Sequence, residues 1–72
     1  MKVCIKDFEV LLAMHDCQNS EQLRAPGIFK YGWNPLMEHY CGKVYNTYRP
    51  LYKPIDIDGF SWHTDYVIIL ED

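Results

Sequence analysis

The chain has 72 residues, a net charge of −3, eleven aromatic residues and three cysteines. A chain this short folds as one small domain around a marginal core, which dense aromatic packing can support. The small acidic excess disfavours nucleic acid and anionic membrane as direct ligands, and no apolar run approaches the length of a membrane span.

The first segment, Lys2-Val3-Cys4-Ile5-Lys6, alternates polar and apolar residues and predicts a short strand. Asp7 fits an N-cap whose carboxylate accepts an orphan backbone N–H. Phe8, Leu11, Leu12 and His15 follow at i, i+3, i+4 and i+7, the spacing of one helical face, with Glu9 in the first turn. The segment from Asp16 to Gly27 is polar and ends in Pro26-Gly27. It predicts a loop holding one helical turn at Ser20–Arg24. Ile28-Phe29-Lys30-Tyr31 reads as a short strand returning to the sheet.

Asn34 as N-cap, Pro35 at the first helical position and Gly42 at the αL exit bracket a helix of about two turns. Trp33 precedes the cap and is placed to cover the helix end. Lys43–Tyr48 is rich in β-formers and predicts a strand. Arg49-Pro50-Leu51 breaks it, and a further strand begins at Tyr52. Asp58-Gly59 then lies between two alternating apolar runs, the pattern of a two-residue hairpin turn. That turn sets Ile57 against Phe60 and Ile55 against Trp62 on one face, with Asp56 and Ser61 on the other. His63-Thr64-Asp65 predicts a tight turn with Asp65 as a local cap, and Tyr66–Leu70 a last strand. The sum is an α+β fold: a small, curled antiparallel sheet of the SH3-like barrel kind, with two short helices.

Trp33, Met37, Cys41-Gly42-Lys43, the strand after them, Phe60-x-Trp62 and Asp65 together resemble small SH3-like proteins of phages and prophages of Gram-positive bacteria. Lys6-Asp7-Phe8-Glu9 resembles their usual beginning. The resemblance leaves Cys17–Lys30 outside, and Tyr66 stands where a methionine is common in that family. It implies a phage-encoded accessory protein that binds and redirects a host protein.

The candidate chemistry is sparse. His15-x-Cys17 and His39-x-Cys41 carry zinc-type ligands, but neither has finger or ribbon spacing. Residues two apart do not face each other on a helix, so neither pair makes a ready nucleophile and base. No nucleophile elbow, P-loop or metalloprotease motif is present. The expectation is a non-enzymatic protein without a cofactor. The three unevenly spaced cysteines, without an apolar leader after Met1, predict reduced thiols in the cytoplasm of a bacterial host.

Residues 1–53 hold all seven lysines and arginines against five acids, whereas residues 54–72 hold five acids and no base. Asp56, Asp58, Asp65, Glu71 and Asp72 therefore form one candidate partner surface, an acidic DNA mimic against a replication or defence protein. Tyr45, Tyr48, Arg49 and Tyr52 form a second, aromatic and basic, suited to a protein partner. With Lys53 it also suits single-stranded nucleic acid. A structural role in the virion is a further alternative, and edge pairing of Val67–Leu70 would give a homodimer.

Overall fold

A computed structural model describes residues 1–48 and 54–71. The N-terminal alternation forms β1 (Lys2–Ile5), with Val3 and Ile5 fully buried and Lys2 outside. β1 is the centre of a three-stranded antiparallel sheet, between β2 (Val44–Asn46) and β5 (Val67–Glu71). Val3 stands opposite both Tyr45 and Ile69, and a bulge at the Lys2/Val3 step leaves Leu70 unpaired. The second sheet is the hairpin of β3 (Ile55–Ile57) and β4 (Phe60–Trp62).

The hairpin has the predicted register, Ile55 against Trp62 and Ile57 against Phe60. Asp58 and Gly59 both take positive φ, 51° and 85°, as a type I′ turn requires. Ile55, Ile57 and Trp62 are buried and Phe60 is half-buried. The fold is therefore α+β with antiparallel sheets and short helices. Among the described residues the two sheets do not close into a barrel.

α1 (Phe8–Met14) ends one residue before His15. Asp7 occupies its N-cap position, but the carboxylate accepts no bond from the first turn. It is turned instead towards Gly42, whose backbone N–H donates to the Ile5 carbonyl at 2.8 Å. α2 (Ser20–Leu23) is the expected turn within the polar loop, capped by the Asn19 side chain accepting from Gln22 N–H at 3.0 Å.

Two further expectations are corrected. Ile28–Tyr31 forms turns rather than a strand, because its backbone bonds close locally: Ile28 N–H to Ala25 C=O and Gly32 N–H to Phe29 C=O. The same turns carry Phe29 into the core, stacked on Tyr66 at 4.0 Å. The bracketed helix is a 3-10 helix over Pro35–Tyr40, not an α-helix. Its start is as predicted, with the Asn34 side chain accepting from Leu36 N–H at 2.9 Å. Its ends are pinned by Trp33 Nε1 donating to Ser20 Oγ at 2.6 Å and by Gly42 on β1. Its backbone bonds close at i to i+3, Met37 N–H donating to the Asn34 carbonyl at 2.8 Å and Cys41 N–H to the Glu38 carbonyl at 3.2 Å, and so short a run suits that winding.

The core is an aromatic network centred on Phe29. Tyr66 stacks on it, Trp33 meets it at 5.0 Å, and Trp62 meets both Phe29 and Trp33 nearly perpendicular at 6.3 Å. Phe8 stacks on Trp33 at 5.7 Å, so Trp33 covers helix α1 as well as its own helix end.

Candidate functional site

The tip of the β3–β4 hairpin gathers the acidic residues that the sequence places nearest each other. Asp56 Oδ1 accepts the Gly59 backbone N–H at 3.0 Å, so its carboxylate closes the turn from the solvent face. Asp58 Oδ2 accepts the Tyr40 hydroxyl at 3.2 Å. Tyr40 is itself fixed by the rings of Phe60 at 5.5 Å and Tyr45 at 5.7 Å. Desolvation, and then the bond to Asp58, hold the Tyr40 phenol above its ordinary range, so it remains a donor to the carboxylate. Both carboxylates are exposed and held in place by neighbours of the same chain.

The remaining acids are placed differently. Asp65 Oδ2 lies 2.6 Å from Lys30 Nζ. That bond holds the Asp65 carboxyl below its usual range and raises the Lys30 ammonium. The pair is exposed, so its share of stability is small. Asp65 is not the local cap: its N–H donates to His63 Nδ1 at 3.0 Å, making His63 the cap of the Thr64–Tyr66 3-10 turn. Glu71 Oε2 is 3.7 Å from Lys2 Nζ. Asp65 and Glu71 are thus each balanced by a lysine from a distant part of the chain, leaving Asp56 and Asp58 as the acidic pair of the tip. Asp72 lies outside the described residues.

Of the aromatic-basic stripe, Tyr45 is half-buried against Tyr40, while Tyr48 is 94% exposed. Arg49, Tyr52 and Lys53 lie outside the described residues, as does the strand expected to begin at Tyr52. One element was not signalled by the sequence. A cleft of about 320 Å³ opens beside the hairpin tip, lined by Tyr31, Trp33, Asn34, Met37, Gly59 and Phe60. Its walls come from two segments that only the tertiary fold brings together.

The histidines and cysteines do not pair. The His15 ring bonds Tyr66 through Nε2 at 2.7 Å, while Cys17 Sγ donates to the His15 backbone carbonyl at 3.4 Å. Lys30 N–H also donates to the Tyr66 hydroxyl oxygen, at 3.1 Å. The Tyr66 hydroxyl thus joins the His15 ring to the Lys30 backbone. This is a latch between α1, the Phe29 turn and the last 3-10 turn. Replacing Tyr66 with phenylalanine leaves the Lys30 N–H without its acceptor and is expected to lower stability by about 1–3 kcal/mol. Urea denaturation followed by circular dichroism reads it, and an unchanged midpoint would remove the latch.

Cys41 Sγ donates to the Met37 carbonyl at 3.6 Å, and burial pushes its thiol up to about 12. Such a thiol is protonated at neutral pH and is a poor nucleophile. At about pH 8, Cys41 is expected to be the last of the three cysteines alkylated by iodoacetamide, as read by peptide mass spectrometry. Labelling of Cys41 ahead of Cys4 and Cys17 would contradict that burial. Among the described residues, no three His, Cys, Asp or Glu side chains are grouped as a metal site requires. No helix among them is long and apolar enough to cross a membrane.

No family model, curated protein or solved structure matches the chain. The functional reading therefore depends on the geometry of the tip, its cleft and the neighbouring tyrosines.

Proposed function

We propose that the protein is a non-enzymatic, phage-type accessory factor that binds a host protein and blocks it by steric occlusion. Its contact surface is the β3–β4 tip. The observation that supports this reading is the fixed pair of exposed carboxylates, Asp56 held on Gly59 and Asp58 held on Tyr40. Carboxylates positioned before binding lose little freedom when they meet a basic surface, the requirement for mimicking a row of phosphates. The partner of this chemistry is a DNA-contacting replication or defence protein in the cytoplasm of a bacterial host. In the same reading the two sheets are the halves of an SH3-like barrel. Thr47 Oγ1, donating to the Asp56 carbonyl at 3.2 Å, ties the end of β2 to the hairpin.

The test is affinity capture from bacterial lysate with the intact chain and with Asp56→Asn/Asp58→Asn, followed by mass spectrometry. A partner held by the intact chain, released by rising salt and lost from the folded variant supports the reading. Capture of nothing above background, or equal capture by the variant, would overturn it. A second reading, binding of single-stranded nucleic acid, is favoured by Tyr48, whose ring is almost wholly available for stacking. Titration with labelled single-stranded DNA and RNA at low salt separates the two.

A further inference from the structure

We infer that β5 pairs antiparallel with β5 of a second copy of this chain, about a two-fold axis at Ile69, joining two three-stranded sheets into one. Among the described residues β5 is an edge, with β1 on one side and no strand on the other. Ile68, Ile69 and Leu70 are three consecutive large apolar residues, 50%, 53% and 51% exposed. Neither a lysine nor a proline stands among them, and the bulge at Leu70 touches only the end of the run.

The backbone specifies a strand as the occupant. Lys6 N–H donates to the Tyr66 carbonyl at 3.0 Å, so Tyr66 faces β1. Alternation along an antiparallel ladder then turns Ile68 to β1, and Val67 and Ile69 outward. The Val67 N–H is already bonded to the Thr64 carbonyl. Ile69 presents both its N–H and its C=O to the open edge, as a residue on a two-fold axis does when it exchanges two bonds with its own copy.

Charge selects the same register. With the axis at Ile69, Ile68 stands opposite Leu70 of the copy, Val67 opposite Glu71, and no like charges meet. Moving the axis to Ile68 sets Asp65 directly against Glu71 of the copy, a repulsive pair. Moving it to Leu70 sets Ile69 against Glu71 and loses the apolar match. The acids that flank the run are already neutralised at home, Asp65 by Lys30 and Glu71 by Lys2, so they oppose the approach least in the favoured register. The bulge at Leu70 confines the joint to its centre. The contact is smaller than that of an obligate dimer, which makes the association dependent on concentration.

Sedimentation velocity on the intact chain from ~10 μM to ~1 mM tests this, with Ile69→Pro, Ile69→Lys and Val44→Lys measured beside it. Proline is tolerated at an edge position whose N–H points outward, and thermal melting checks that each variant is folded. The expected result is a mass rising towards that of a dimer. Ile69→Lys, and Ile69→Pro where it folds, should weaken association at least about tenfold. Val44→Lys, on the far edge strand β2, should keep it. A chain that stays monomeric throughout would overturn the inference. So would a dimer that survives Ile69→Lys or is lost with Val44→Lys.

Discussion

Replacing Trp62 with alanine is expected to unfold the protein at room temperature. The side chain is fully buried, paired across the hairpin with Ile55 and set perpendicular to Phe29 and Trp33. Removing a buried tryptophan costs about 3–5 kcal/mol, and a core in a chain of this length rarely supplies more than that in net stability. Trp62→Phe separates two parts of this loss. Among the described residues Trp62 Nε1 is a buried donor with no oxygen or nitrogen acceptor. Phenylalanine keeps an aromatic ring in the site and removes the unsatisfied N–H, so its cost is expected to stay below about 1.5 kcal/mol. Urea titrations of the two variants, followed by circular dichroism, decide the matter. A loss for phenylalanine equal to that for alanine would mean that the indole N–H is bonded in solution.

The second large effect is expected at Gly42. Its φ is +76°, and a Cβ built there would stand 2.8 Å from Asp7 Oδ1. Gly42→Ala therefore combines a left-handed penalty of about 1–2 kcal/mol with a contact that must be relieved by moving Asp7, for about 2 kcal/mol or more in total. Adding Asp7→Ala should recover the contact part and leave the conformational part. Gly27→Ala is the reference, since Gly27 has a φ of +80° and nothing within 4 Å of its would-be Cβ. The expected order of stability loss is Gly42→Ala first, then the double variant, close to Gly27→Ala. Equal losses for Gly42→Ala and Gly27→Ala would show that Asp7 moves aside freely.

The parts of the fold that were legible are those whose causes lie within a few residues. Asp58-Gly59 determines its own turn, and a two-residue turn determines the register of Ile55–Trp62. Asn34-Pro35 starts its helix at the predicted residue. What was hidden depends on partners far along the chain. Ile28–Tyr31 has strand-forming residues, yet the local bonds of Phe29 and its stacking on Tyr66 outweigh that propensity. The length of the Pro35–Tyr40 helix was readable but not its 3-10 winding, which shows only in its i to i+3 backbone bonds. The candidate site divides in the same way. Asp56 and Asp58 are neighbours because one turn makes them so. Asp65 and Glu71 leave the acidic group because Lys30 and Lys2, assigned by sequence to the basic half, fold back onto them. The cleft beside the tip needed both Trp33 and Phe60 in position and left no signal in either segment alone.

The central place of β1 has a kinetic consequence. Its partners are β2 and β5, so Val3 must find Tyr45 and Ile69 across most of the chain. The entropy of closing such long loops comes before the reward of the contacts, and high contact order slows folding. The β3–β4 hairpin closes over two residues, a microsecond event that needs no distant partner. The acidic tip is thus among the earliest structure the chain can form, while the sheet that carries Val3 and Ile5 into the core waits for its ends to meet.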